Sequence, residues 1–255
     1  MTTSPARLEE ALRAAFSSDP SVRQEAALRL GTLADAASAP QLVALLVSEP
    51  DFYVRETLTW AVVNQAQAAL PHLLAALEGG EPSRVQVLHA LSKIRDPRAV
   101  AHVLPLADDP DDAVAAKAWW ALGRTGTPEA APALLAHLGD PDEARRRELT
   151  RALEQLGEPA VPGLAARLRD GDALTRRHAA EVLTVIGDPG ARGATVALVG
   201  AVEHDDKEVA LVAVEALARL DVPEVDEALE RLRGSGDRWL AIIADWLLSD
   251  RADRA

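Results

Sequence analysis

Residues 96 to 126 make one complete unit of a pattern that recurs along the chain, and that recurrence restricts the fold more than any other feature. Asp96-Pro97 opens the unit and predicts a short apolar helix from about Pro97 to Ala107. Asp109-Pro110 makes a turn, and a second helix is expected from about Asp111 to Arg124, ending near Gly126. Thr127-Pro128 then opens the next unit. With the leucine-like residue near the end of each second helix as anchor, the positions are Leu30, Val62, Leu91, Leu122, Leu153, Leu183, Leu217 and Leu247. The steps between them are 32, 29, 31, 31, 30, 34 and 30 residues. Turns inside the units recur independently at Asp19-Pro20, Glu49-Pro50, Glu81-Pro82, Asp109-Pro110, Asp140-Pro141, Asp170-Gly171, Asp205-Asp206 and Gly236-Asp237. A third series lies between units, at Asp96-Pro97, Thr127-Pro128, Glu158-Pro159, Asp188-Pro189 and Val222-Pro223.

Three series with one period predict an all-α chain of about eight helix-turn-helix repeats. Each half-unit is close to the ~12 residues at which an isolated helix is marginal in water. A unit can therefore bury its apolar face only against its neighbours. Proline after an acidic or hydroxyl residue suits the first helical position, where its missing N–H costs nothing. Gly31, Gly126, Gly157 and Gly187 stand where helices are expected to stop. The last unit carries Trp239 and Trp246 and reads as a terminal cap. The chain is expected to be one solenoid over residues 1–255, with the long step between Leu183 and Leu217 as a place for the stack to bend.

Composition narrows the function classes. The apolar content is 48%, mostly Ala, Leu and Val, and only 3% of residues are aromatic. Small side chains let helices approach closely, and Ala and Leu are strong helix formers. A net charge of -13 repels nucleic-acid backbones unless cations gather on one face. The absence of cysteine excludes disulfides, thiolate metal sites and a cysteine nucleophile. The first ten residues hold no apolar signal region and no run reaches membrane-spanning length, so the expectation is a cytoplasmic protein without membrane attachment.

Asp19-Pro20-Ser21-Val22-Arg23 resembles the turn inside HEAT repeats, as does Val54-Arg55 after Asp51, and so do endings such as Ala121-Leu122-Gly123. The short period resembles the bacterial, phycobilisome-lyase-type subgroup. The stretches from Phe52 to Trp60 and from Leu88 to Ile94 resemble bacterial HEAT proteins sometimes fused behind a DNA-binding regulator domain. The resemblance covers nearly the whole chain. It implies a right-handed alpha-alpha superhelix, armadillo-like, with first helices convex and second helices concave. It implies no single activity.

Aligned on the anchors, the second helices can be read as columns. Seven positions before the anchor stand Arg23, Arg55, Arg84, Ala115, Arg146, Arg176, Ala210 and Leu240. This row is either a ligand-binding stripe or, the reading favoured here, a ladder in which arginines bond turn carboxylates and carbonyls. Two positions before the anchor stand Leu28, Trp60, His89, Trp120, Arg151, Glu181, Glu215 and Asp245. Helical spacing groups these with residues three and four earlier, among them Glu56, Thr57, Gln86, Lys117, Arg147, Glu148, Arg177 and His178. The anchors face the core, so this column is expected on the concave side. Its middle, Trp60, His89, Trp120 and Arg151, with Arg147 and Arg177, is aromatic and cationic, the character of a binding hot spot. Against this, Trp60 and Trp120 could simply fill spaces between consecutive helices. Trp119, one residue over, is expected in the core. Arg145, Arg146, Arg147, Arg151, Arg176 and Arg177 could receive a carboxylate-rich peptide or a phosphate. Pairing with Glu148, Glu154 and Glu181 on a solvated face accounts for them as well.

No catalytic constellation stands out. The histidines, at 72, 89, 102, 137, 178 and 204, fall in different units with no His-x-x-x-His spacing, so neither a metal nor a cofactor is expected. Acidic turns such as Asp108 to Asp112 suit helix N-termini at least as well as weak calcium binding. The expectation is therefore a scaffold or adaptor, more binding protein than enzyme, holding an unidentified protein or peptide. Two alternatives stay open. One is an alkylpurine DNA glycosylase-like enzyme, against which the net charge speaks, and in which the sole Trp-x-x-x-Asp pair, Trp246 to Asp250, lies at the chain end. The other is lyase-type handling of a tetrapyrrole or modified peptide, with Trp60, His89 and Trp120 stacking on the ligand.

Overall fold

The computed structural model describes residues 5–78, 83–204, 207–234 and 236–254. It divides into two compact units, Met1–Thr125 and Gly126–Ala255. The described residues of the first form four helix pairs: α1 (Pro5–Ala14) with α2 (Pro20–Leu33), α3 (Ala39–Ser48) with α4 (Phe52–Asn64), α5 (Ala66–Leu77) with α6 (Ser83–Ile94), and α7 (Val100–Val103) with α8 (Asp112–Thr125). The second unit repeats the plan: α9 (Ala131–Leu135) with α10 (Glu143–Leu156), α11 (Val161–Asp170) with α12 (Ala173–Ile186), α13 (Thr195–His204) with α14 (Lys207–Ala218), and α15 (Pro223–Arg233) with α16 (Arg238–Arg254). Within the first unit the second helices α2, α4, α6 and α8 pack side by side in sequence, and in the second α10, α12 and α14 do the same. No strand occurs among the described residues.

The unit from Asp96 onward shows how sequence sets the local form. Its first half is helical from Pro97 to Asp108 but only α-helical over Val100–Val103, with 3-10 turns on either side. Pro105 has no N–H to bond back four residues and its ring crowds that carbonyl, so the helix tightens there. Aspartates cap the second helices: Asp19 accepts from the Ser21 amide, Asp51 from Tyr53 and Val54, Asp142 from Arg145, and Asp172 from Thr175. Such a cap stabilises by about 1 kcal/mol. This arrangement revises one expectation. Pro20 does occupy the first helical position, whereas Pro50 and Pro141 stand one residue before the capping aspartate, because the side chain that follows them satisfies the open amides. The turns at Glu81-Pro82 and Asp205-Asp206 lie outside the described residues.

Gly126, Gly157 and Gly187 take φ of +68°, +70° and +59°, and at Gly157 and Gly187 ψ of -135° and -165° gives an extended positive-φ conformation that glycine alone adopts without Cβ strain. Gly31 does not. It lies inside α2, which ends at Leu33 with Ala34 in the left-handed region. Its role is close approach: a Cβ there would sit 2.3 Å from Cζ3 of Trp60 and 3.0 Å from Cα of Ala61.

All eight anchors are buried, none more than 3% exposed. The residue before the anchor is small and buried in the six middle repeats, as Ala61, Ala90, Ala121, Ala152, Val182 and Ala216. At Ala61 this position meets the preceding second helix, since a Cβ on Gly31 of α2 would sit 3.0 Å from its Cα, and a small side chain there permits the close approach. Each buried leucine contributes about 1.5–3 kcal/mol. The extra residues of the long step lie between α12 and α13, where a 3-10 turn over Gly190–Ala194 replaces the three-residue turn found at Glu158–Ala160. No helix of the described residues is long and apolar enough to cross a membrane.

Candidate functional site

The arginine row resolves into structural bonds. Arg23 donates to the Ser17 and Ser18 carbonyls of its own turn and reaches both oxygens of Glu49 in the next, at 2.8 and 2.9 Å. Arg55 donates to the carbonyls of Glu49 and Pro50, and Arg146 to those of Asp140 and Pro141. Arg84 links the Leu77 carbonyl to Asp109, and Arg176 holds the Gly171 carbonyl. The row is a ladder that closes each turn and, at Arg23 and Arg84, ties it to the following one. The Arg23 guanidinium holds the Glu49 carboxyl below the usual carboxylate range, against the opposing effect of burial. The acidic turn at Asp108 to Asp112 is similarly occupied, with Asp109 serving Arg84 and the Asp111 amide, and Asp111 serving the Ala113 amide. Among the described residues no three His, Cys, Asp or Glu side chains gather in a way that could hold a metal ion.

On α4, α6 and α8 of the first unit, the position two before the anchor stays in contact with solvent. Trp60 is 42% exposed, and His89 and Trp120 are half-buried. One edge of the Trp60 ring rests on Gly31 of α2. Its other side is open, so it both fills a gap and offers a surface. Trp119 is the contrast: 1% exposed, with its indole N–H donated to the Ala107 carbonyl.

His89 sits between the two tryptophans. Its Nε2 lies 3.1 Å from Oε1 of Glu56 on α4, within ion-pair distance but not aligned for a hydrogen bond. Burial lowers the His89 pKa, and the charges of Lys93 and Lys117 push the same way against Glu56. On α8 the Arg124 guanidinium lies 5.6 Å from the centre of the Trp120 ring and donates to the Ser92 carbonyl of α6 at 3.3 Å. Cation–ring contact of this kind holds the indole face in one orientation. Sequence reading passed over Lys93 and Arg124. The signal was there, since each stands four residues after a residue of the column, on the same helical face.

Arg145, Arg147, Arg151 and Arg177 of the second unit are each paired with a carboxylate. Arg151 bonds Glu148 at 3.0 Å, Arg147 lies 4.0 Å from Glu143, and Arg177 on α12 bridges to Glu181 and to Glu208 on α14. Arg145 binds Asp140. Exposed pairs of this type contribute little to stability. His178, expected beside Arg177 on the open face, is instead wholly buried. Its Nδ1 accepts the Gly139 amide at 3.1 Å and its Nε2 lies 2.9 Å from Oγ1 of Thr150. It lies five residues before its anchor, a position that rotates between faces, and bonding to the α9–α10 turn draws it inward.

HEAT repeats match this sequence over residues 3–63, 70–154 and 161–247. No curated protein matches it. Among solved structures, the archaeal HEAT-like repeat protein from Thermococcus onnurineus NA1 is 15% identical, with a TM-score of 0.52 over 83% of this chain and 96% of that one. The karyopherin Kap121p is 16% identical at a TM-score of 0.57, and the chain spans 33% of it. The phycocyanin lyase complex of CpcE and CpcF from Nostoc sp. PCC7120 gives 24% identity over 98% of this chain and 96% of that one, with a TM-score of 0.45. The chain belongs to the HEAT-repeat family.

Proposed function

We propose that this protein is a non-catalytic scaffold that holds a protein or peptide on the second-helix face within each unit, the side that is concave in HEAT solenoids. In the first unit the contact residues are Trp60, His89 and Trp120. In the second they are Arg147, Arg151 and Arg177. The observation that carries the reading is the contrast within α4, α6 and α8. The anchor of each helix is buried while a tryptophan or histidine two residues earlier stays open to solvent in the same register. Large rigid rings at the middle of a surface supply binding energy at small entropic cost. Kap121p, which shares the fold, has been crystallised bound to the extreme C-terminus of the phosphatase Cdc14p.

The test is capture from cell lysate by the wild-type chain and by a Trp60→Ala/Trp120→Ala variant, read by mass spectrometry. The expected result is a protein retained by the wild type and lost by the variant. Each substitution should cost about 1–2 kcal/mol in denaturation, against about 3–5 for the buried Trp119→Ala. Unfolding by either surface substitution would make the ring a core residue and sink the reading. Retention of nucleic acid or a coloured small molecule, with no protein, would favour an enzyme or accessory role instead.

A further inference from the structure

The chain has 40 acidic residues against 27 basic ones, yet three cations, Lys93, Lys117 and Arg124, stand on α6 and α8 of the first unit. Lys93 stands one helical turn after His89 on α6, Lys117 lies on α8, which packs against α6, and both lysine charges lower the histidine pKa. Lysine is rare in this sequence, at positions 93, 117 and 207, so two of three are on these two helices. Among the described residues neither Lys93 nor Lys117 has a hydrogen-bond or ion-pair partner. The arginines of this protein are, by contrast, extensively paired with carboxylates or turn carbonyls. Arg124 adds a third positive charge beside Trp120, and Glu56 is the carboxylate that opposes them at His89. Trp60 follows Glu56 by one helical turn on α4, and Trp120 stands between Lys117 and Arg124 on α8, three residues after the one and four before the other.

We infer that this cluster recognises the carboxylates of an acidic peptide segment, with Trp60 and Trp120 receiving its apolar side chains. The inference rests on the scaffold reading and gives its partner a chemistry. Charge complementarity is the argument. Two lysines without partners on a half-apolar face keep their hydration only while the face is empty, and a carboxylate placed between them satisfies both with charge-assisted bonds. An acidic segment meets little resistance, because its charge is short and local. An extended polyanion such as single-stranded nucleic acid would be repelled by the rest of a chain of net charge -13.

The experiment is selection of random peptides displayed on phage against the full chain, repeated with a Lys93→Gln/Lys117→Gln variant. Both lysines reach solvent, and the substitutions leave the core untouched. The wild type should enrich peptides that combine Asp or Glu with large apolar residues. The variant should lose the acidic preference and bind the selected acidic peptide about tenfold more weakly, as loss of about 1.4 kcal/mol implies. Affinity for that peptide should fall as salt is raised. Enrichment of neutral or basic peptides, enrichment of none, or equal acidic preference in the variant overturns the inference. Tighter binding of a short oligothymidylate than of the selected peptide overturns it as well. The scaffold reading is judged separately by the tryptophan capture experiment, which does not depend on the lysines.

Discussion

His178 makes the stability of the second unit depend on pH in a way that can be worked out from its contacts. Thr150 donates its hydroxyl proton to the Arg146 carbonyl at 2.9 Å, so its oxygen is free to accept from Nε2–H of His178. Nδ1 accepts the Gly139 amide, which leaves it no room for a proton. The neutral ring with hydrogen on Nε2 satisfies every partner, and the charged ring would leave the Gly139 amide facing a second N–H. Burial, reinforced by the charge of Arg146, pushes the pKa from 6.5 down to about 4. In the unfolded chain the ring titrates near its ordinary value. Between about pH 6.5 and pH 4 the unfolded chain therefore holds a proton that the folded chain refuses, and stability rises with pH across that window. The contribution is complete above about pH 6.5, is lost as pH falls toward 4, and is flat below that value; its total is about 3 kcal/mol. Carboxylates also titrate at the lower end, so the measurement is a difference. Urea unfolding of the full chain and of His178→Gln should be compared at about pH 7 and about pH 4. Glutamine can still accept the Gly139 amide but cannot take up a proton. The wild type should lose about 3 kcal/mol more than the variant over this interval. Equal losses, or an NMR titration placing the ring near its ordinary pKa, would refute the tautomer and the burial argument together.

Two further outcomes follow from contacts between neighbouring repeats. Gly31→Ala gains about 1 kcal/mol of helix propensity but meets the Trp60 ring, and overpacking costs about 1–3 kcal/mol. It should destabilise the wild type by about 1 kcal/mol and become neutral or stabilising in a Trp60→Ala background, as a double-mutant cycle in denaturant would show. An equal gain in both backgrounds would mean the ring does not rest on Gly31. Arg23→Ala strands the Glu49 carboxylate, whose side chain is 5% exposed, and should lower the denaturation midpoint several times more than Arg29→Ala, which removes an exposed pair. Because Glu49 has a lowered pKa, the Arg23 contribution is present above the ordinary glutamate range and lost as pH falls through the folded value.

What the sequence alone determined is whatever depends on neighbours within a helical turn or on a strict period. The 31-residue repeat, the aspartate caps, the turns and the burial of Leu30 through Leu247 are all of that kind, because local hydrogen bonds and the 3.6-residue spacing leave few alternatives. Trp119 as core and Trp60 as the more open ring could be read the same way, from their offset to the anchor. What only tertiary structure decided is which polar side chains find partners one repeat away. The Arg23–Glu49 pair, the His89–Glu56 contact and the Arg124–Ser92 bond each span 26 to 33 positions. Such pairs depend on how far one repeat is rotated against the next, a quantity no single helix encodes. The same packing turned His178 inward onto Gly139, made Gly31 a contact and not a stop, and left Lys93 and Lys117 without hydrogen-bond or ion-pair partners among the described residues. The period set where every residue could be, and the packing of one repeat on another set what each polar group was free to do.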